Sequence, residues 1–281
     1  MSLEKPVVVA EIGINHNGNL GLAKSMIAMA ESFGADYVKF QKRNPEVCVP
    51  DSEKQSRKMT VFGPMSYIDY KHRMEFGKRE FDEIDQYCNK LGIGWFASVW
   101  DRDSLDFMVE YDPDFVKIPS ACVTDKELLD SCRESGISVV MSTGMSSKDE
   151  VDDAVEYLGD SLCYLLHTTS SYPTPNDEMN MSRILTLQML YGDRCKIGFS
   201  NHCVDLIYLV QAVVMNAKML EFHVTLDRNL PGTDQYASIG PTGFDRLMHH
   251  IGNIMVGWGD ESLGVCESEI AIRRKLRRVK E

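Results

Sequence analysis

Eight apolar runs of strand length recur along 281 residues, each parted from the next by a segment of helical period, and few folds accept that rhythm. The runs are VVVAEIG (7–13), DYVKFQ (36–41), GIGWFAS (92–98), FVKIPS (115–120), SVVMSTG (138–144), CYLLHTT (163–169), KIGFSNH (196–202) and MLEFHVT (219–225). Between them lie amphipathic segments such as 19–34, 126–136 and 148–159, which close on the glycine that ends many helices. Eight strand–helix alternations within one domain's length predict a closed (β/α)8 TIM barrel, with 1–281 as a single domain. A doubly wound open sheet is the alternative, but no G-x-G-x-x-G follows any run.

One connection breaks the pattern. Residues 42–77 are far longer than the usual loop of a compact domain, and such segments are often lids. Phe62, Tyr67, Tyr70 and Lys71 within it suit a segment folding over a polar ligand. The net charge of −12 argues against a nucleic-acid or anionic-membrane surface, yet a few inward lysines could still set the potential of one cleft. The basic run IRRKLRRVK (272–280) reads as a solvated helix face. Eight scattered cysteines, with no C-x-x-C pair, read as reduced thiols in a cytoplasmic protein. MSLEKP runs straight into a strand with no signal peptide, and LIYLVQAVVM (206–215) is too short to span a bilayer.

In a barrel, chemistry sits where the strands end. The polar residues there are Glu11, Lys39, Gln41, Ser98, Lys117, Ser120, Ser142, Thr143, His167, Thr169, Ser200, His202 and His223. Strands stabilised by packing alone would carry Val, Ile and Leu at these places. Lysine inside a protein needs an anion, so Lys39 and Lys117 point either to a bound phosphate or carboxylate or to buried acids. Glu11 is placed to balance charge or move a proton. His202 and His223, on neighbouring strands, suit a catalytic divalent ion or a pair of hydrogen-bonded core histidines. His249 and His250 lie in a predicted helix and read as structural or exposed, and His72 in the long loop stays undecided.

With these residues placed, the motifs AEIGINHNG (10–18), VKFQ (38–41), VKIPS (116–120), STGM (142–145), HTTSSYPTP (167–175), GFSNH (198–202) and FHVTLDRNLPGTD (222–234) resemble, in order, those of the sialic acid synthase family. The resemblance covers roughly residues 7–245. It implies a barrel that condenses phosphoenolpyruvate with an aldose, usually an N-acylated hexosamine such as N-acetylmannosamine. The products are a 2-keto-3-deoxy sugar acid and phosphate, and a divalent ion, Mn2+ or Mg2+, is required. Carried over by position, Lys39, Ser98, Lys117, Ser120, Ser142 and Ser200 hold phosphoenolpyruvate, and His202 and His223 bind the metal. Glu11 is the acid/base residue, while Gln41, Cys122, Ser170, Tyr172 and Asp234 stand where the family meets the sugar. On this reading the partner of Lys117 is the substrate's own anion.

Some positions depart from the family. Cys122 stands where a glutamate is usual, and a thiol does not replace a carboxylate at neutral pH. Asn201 replaces an aspartate beside His202. The sequence ends at 281, so the small antifreeze-like domain that often follows the barrel is not expected, nor the arginine it supplies across a dimer. Two other readings remain: a Schiff-base aldolase using Lys117 or Lys39, and a non-catalytic sugar-phosphate binder. The partners expected are small molecules, with a possible homo-oligomer and neither nucleic acid nor membrane.

Overall fold

The structure, a computed structural model, describes residues 3–279. The first two residues of MSLEKP and Lys280 of the basic run lie outside the described residues. Eight parallel strands close into a barrel: β1 (Val7–Gly13), β2 (Tyr37–Lys42), β3 (Gly94–Val99), β4 (Phe115–Ile118), β5 (Ser138–Ser142), β6 (Leu162–His167), β7 (Lys196–Asn201) and β8 (Met219–His223). β8 pairs with β1 and completes the circuit. This is the expected (β/α)8 barrel, with helices following the strands.

Strand periodicity divides the side chains between two environments. Outward residues such as Val8, Ala10, Val38, Phe40, Val116, Val139, Leu165, Phe199 and Phe222 join the shell core under the helices. Inward residues near the strand starts (Val9, Phe96, Val140, Tyr164, Leu166 and Met219) form a separate apolar plug. Two residues further along the same inward face the chemistry changes: Val9 gives way to Glu11, Phe96 to Ser98, Val140 to Ser142 and Met219 to Glu221. The barrel is therefore dry at one end and charged at the other.

Register puts those polar residues at matching heights. Glu11 lies level with Lys39 and with His223, Ser98 with Lys117 and with Gln41, and Glu221 with Ser200. At Gly13 the β1–β2 register slips and φ is +53°, a conformation that favours glycine. A Cβ there would stand 2.9 Å from the Glu11 carboxylate oxygen, so the missing side chain leaves room for it.

The long connection is structured. It holds short helices at Pro45–Cys48 and Asp51–Lys54, an antiparallel hairpin (Arg57–Thr60 with Gly63–Ser66) and a helix at Tyr67–Met74. Asn44 and Ser66 cap the first and last of these helices through their side chains. An ion pair from Arg43 Nε to Glu75 Oε1 (2.8 Å) ties the two ends of the segment together. Ile68, Tyr70 and Met74 are buried beneath it, so it packs as part of the fold. The helix Glu267–Leu276, which carries the start of the basic run, is largely exposed. Among the described residues no helix is long and apolar enough to cross a membrane, and all eight cysteines are free.

Gly198 on β7 packs closely against the plug, since a Cβ would lie 2.6 Å from the Met219 carbonyl and 2.5 Å from Leu166 Cδ2. Gly198→Ala is expected to lower stability by about 1–3 kcal/mol through overpacking. Urea unfolding followed by far-UV circular dichroism checks this, and an unshifted midpoint would contradict it.

Candidate active site

Four charged side chains meet at the level where the inward face turns polar. Lys117 Nζ sits 2.9 and 3.1 Å from the two oxygens of Glu221. Lys39 Nζ lies 2.8 Å from Glu11 Oε2 and 3.7 Å from Glu221 Oε2. All four are almost fully buried. Formally two ammonium groups face two carboxylates, which is how a buried charge cluster avoids the several-kcal/mol cost of an unpaired ion. Burial opposes charge on Lys39, but Glu11 and Glu221 prevail and hold its pKa above the ordinary value. For Lys117 desolvation prevails over the pull of Glu221, and its pKa falls to about 8. Against its own desolvation, Glu221 is held down to about 2 by Lys117 and Lys39.

Glu221 is the residue that the sequence reading missed. Lys117 was assigned the substrate's anion as its partner, whereas β8 supplies a carboxylate at hydrogen-bond distance. A signal existed: Glu221 precedes His223 by two residues, so both must share the inward face.

Hydroxyls surround the cluster. Ser98 Oγ accepts from Lys39 (2.8 Å), Ser200 Oγ donates to Glu221 (3.0 Å) and Ser120 Oγ accepts from the Gly144 amide (3.1 Å). Ser142 Oγ is buried without a partner among the described residues. Gln41 Nε2 donates to Glu11 Oε1 (3.1 Å). These residues, with Ser170, Tyr172, His202, His223, Trp100 and Met145, line a cavity of about 170 Å3 at the barrel mouth.

The two imidazoles, on β8 and just past the end of β7, have ring centroids 5.4 Å apart. His202 Nδ1 donates to the Thr169 carbonyl (2.8 Å), which leaves Nε2 with its lone pair free. Desolvation, reinforced by His223, drives the His202 pKa down to about 3, so the ring is neutral as a metal ligand must be. His223 Nδ1 is buried without a hydrogen bond among the described residues and lies 3.8 Å from Asp234 Oδ2. The Tyr172 ring lies 4.0 Å from that of His202, tilted by 32°, and meets His223 edge-on. Its phenol pKa is raised by burial and by Asp234.

Several expected site residues lie elsewhere. Cys122 joins the shell core, with its sulfur 3.8 Å from the Trp100 carbonyl, and it is Ala121 that lines the cavity. Burial pushes the Cys122 thiol up to about 12. The chain turns into a 3-10 helix at Ser120–Cys122, and that turn swings the side chain away. His167 sits on the outward face and bonds the Met179 carbonyl (2.8 Å). Asp234 stands behind His223 rather than on the cavity wall. His72 pairs with Glu46 on the surface of the long connection, and His249 contacts Asn253 and His250.

A closed parallel barrel with a buried lysine–carboxylate cluster and a free pair of imidazoles at the strand ends defines a (β/α)8 enzyme. The sequence profile of the NeuB family matches residues 26–262. N,N'-diacetyllegionaminic acid synthase of Legionella pneumophila is 31% identical over 280 residues, covering 96% of this chain and 78% of that protein. Human N-acetylneuraminate-9-phosphate synthase is 32% identical over 279 residues, covering 96% and 76%. A crystal structure of N-acetylneuraminic acid synthetase from Leptospira borgpetersenii, in complex with citrate, aligns with a TM-score of 0.84 at 31% identity and covers 98% of this chain and 94% of that one. The chain belongs to the NeuB family and is an enzyme of that kind, a phosphoenolpyruvate-dependent condensing synthase.

His16, in the turn after β1, gives the site a measurable pH signature. It is buried, stacks on Phe76 at 4.0 Å and accepts from the Gly18 amide through Nδ1. Desolvation, with the charge of Arg43, takes its pKa from 6.5 to about 3. The unfolded chain binds a proton that the native state refuses, so this contribution is complete above about pH 6.5 and is lost as pH falls toward about 3. At about pH 5 the loss is about 2 kcal/mol. Urea midpoints at about pH 7.5 and about pH 5 are expected to differ, and His16→Asn is expected to shrink that difference. An unchanged slope in the variant would refute the assignment.

Proposed function

We propose that this enzyme joins phosphoenolpyruvate to an aldose related to N-acetylmannosamine, forming a 2-keto-3-deoxy sugar acid and inorganic phosphate with Mn2+ or Mg2+ bound at His202 and His223. The observation that carries the proposal is that Lys39, Lys117, Ser98, Ser120, Ser142, Ser200 and both imidazoles line one cavity. The donor set suits a divalent ion: two imidazole nitrogens with open positions for exchangeable ligands. No three His, Cys, Asp or Glu side chains gather into a closed cage among the described residues. When bound, the ion polarises the acceptor's aldehyde oxygen as a Lewis acid.

The side chains supply the remaining chemistry. Lys39 and Lys117 hold the phosphate and carboxylate of phosphoenolpyruvate while the serine hydroxyls fix its orientation. Glu11 and Glu221 keep the two ammonium groups charged until the substrate arrives. The enol carbon attacks the aldehyde carbon, water adds at the phosphate-bearing carbon, and the resulting intermediate expels phosphate. Glu11, held by Lys39 and Gln41, is placed to move a proton in that sequence. Tyr172, Trp100 and Met145 narrow the mouth against bulk water. Gln41, Ser170 and Tyr172 border the acceptor, and the eight free thiols support a cytoplasmic setting.

The lowered pKa of Lys117 favours one competing reading, a Schiff-base aldolase. Borohydride trapping of pyruvate on Lys117, insensitive to chelator, would establish that route and displace the condensation.

Phosphate release is expected to require phosphoenolpyruvate, a divalent ion and an aldose together. No release across an aldose panel with Mn2+ present would overturn the proposal. His202→Ala or His223→Ala is expected to abolish Mn2+ retention, read by elemental analysis, while the circular dichroism spectrum is unchanged. Lys117→Met leaves Glu221 short of a partner and is expected to cost about 3–5 kcal/mol of stability. Adding Glu221→Met is expected to restore most of that stability but no activity, which separates the structural role of the pair from its role in catalysis.

A further inference from the structure

His223 ends β8 and lines the cavity, yet its Nδ1 is buried with no hydrogen bond among the described residues. Facing that nitrogen is the carboxylate of Asp234, with Oδ2 3.8 Å away. Asp234 is not part of the cavity lining, and it makes no ion pair with a lysine or arginine among the described residues. Lys71, Tyr70 and Tyr172 feel its charge, but none of the three bonds it among the described residues.

The carboxylate is held where it is by a buried polar network. The loop after β8 folds back along the strand: the Ile239 amide donates to the His223 carbonyl (2.8 Å) and the Thr225 amide to that of Ile239 (3.1 Å). Asn15, in the turn after β1, bridges the two stretches, its Nδ2 donating to the Val224 carbonyl and to Ser238 Oγ, each at 2.8 Å. Ser238 Oγ in turn donates to the Asp234 carbonyl (2.7 Å), and Gln235 Nε2 to the Asn15 carbonyl (2.9 Å). Thr225 Oγ1 donates to Gln235 Oε1. Asn15, Thr225, Gln235 and Ser238 are almost fully buried, and a connected network of that kind favours one loop conformation. The Thr233 hydroxyl fixes the remaining carboxylate oxygen, Oδ1, at 2.6 Å.

A neutral imidazole carries its proton on Nδ1 or on Nε2. With the proton on Nε2, the Nδ1 lone pair would point at a carboxylate. With it on Nδ1, an N–H dipole points there instead, and charge favours this second arrangement, the more so because both groups are largely buried. We infer that Asp234 is a positioning residue for His223, holding the proton on Nδ1 so that Nε2 keeps its lone pair for a divalent ion. His202 reaches the same tautomer by another route, through the bond from its Nδ1 to the Thr169 carbonyl. The resemblance to the sialic acid synthases set Asp234 against the sugar, whereas here it acts through His223. The inference rests on the proposed function for the ion, but the tautomer belongs to the metal-free chain as well.

The test uses the whole chain carrying isotope-labelled histidine. The His223 tautomer is read by long-range proton–nitrogen NMR without metal at about pH 8.5. The wild type is expected to show the Nδ1–H form, and Asp234→Ala a shift toward Nε2–H. Mn2+ affinity, read by electron paramagnetic resonance without substrates, is expected to fall about 10–100-fold in Asp234→Ala. Asp234→Asn has the same shape but can turn an N–H toward Nδ1, and it is expected to lose affinity too, which a role in packing the loop would not produce. An Nε2–H wild type would overturn the inference, as would unchanged Mn2+ affinity in both variants. A raised aldose KM with unchanged Mn2+ affinity would return Asp234 to the sugar and end it. If the wild type binds no Mn2+, the proposed metal site fails and the tautomer alone decides. Loss of the Nδ1–H form in Asp234→Ala then upholds the positioning role, and no change refutes it.

Discussion

The interior of this barrel depends on a buried chain of charges running Glu11–Lys39–Glu221–Lys117. Each ion is tolerated because its neighbour is there, and the removal of any one strands another in a medium that solvates it poorly. Replacing the cluster with well-packed apolar residues would cost little stability, so its presence argues for chemistry more than for folding. The apolar plug below and the helices outside carry the stability instead.

The same cluster explains how a mouth of modest volume serves polyanionic chemistry. Lysines already paired with carboxylates stay charged while buried, so the site is organised before substrate arrives and needs little rearrangement of its dipoles. His202 is kept neutral by desolvation, and the carbonyl of Thr169 fixes its tautomer. One cavity therefore combines two tendencies, holding cations and keeping the His202 lone pair available.

Much of this was legible in the residues. The barrel followed from eight strand-length apolar runs alternating with helical segments within one domain's length. Lys39, Ser98, Lys117, Ser142, Ser200, His202 and His223 stood out because polar residues at strand ends have no packing reason to be there. Glu221 escaped notice because a lone acid inside an apolar run was not traced along the pleat to His223. Cys122 was placed by its distance from Ser120, and a tight 3-10 turn between them sent its sulfur into the core.

The sequence by itself determined the order of the strands, the two-residue alternation that divides inside from outside, and the residue types at the barrel mouth, because periodicity and burial are properties of local sequence. Only the tertiary structure decided which charges meet. Lys117 and Glu221 are 104 residues apart, and Lys39 meets Glu11 because β2 lies beside β1. Such pairings follow from barrel closure, strand register and the path of a long connection, and no short-range pattern encodes those distances.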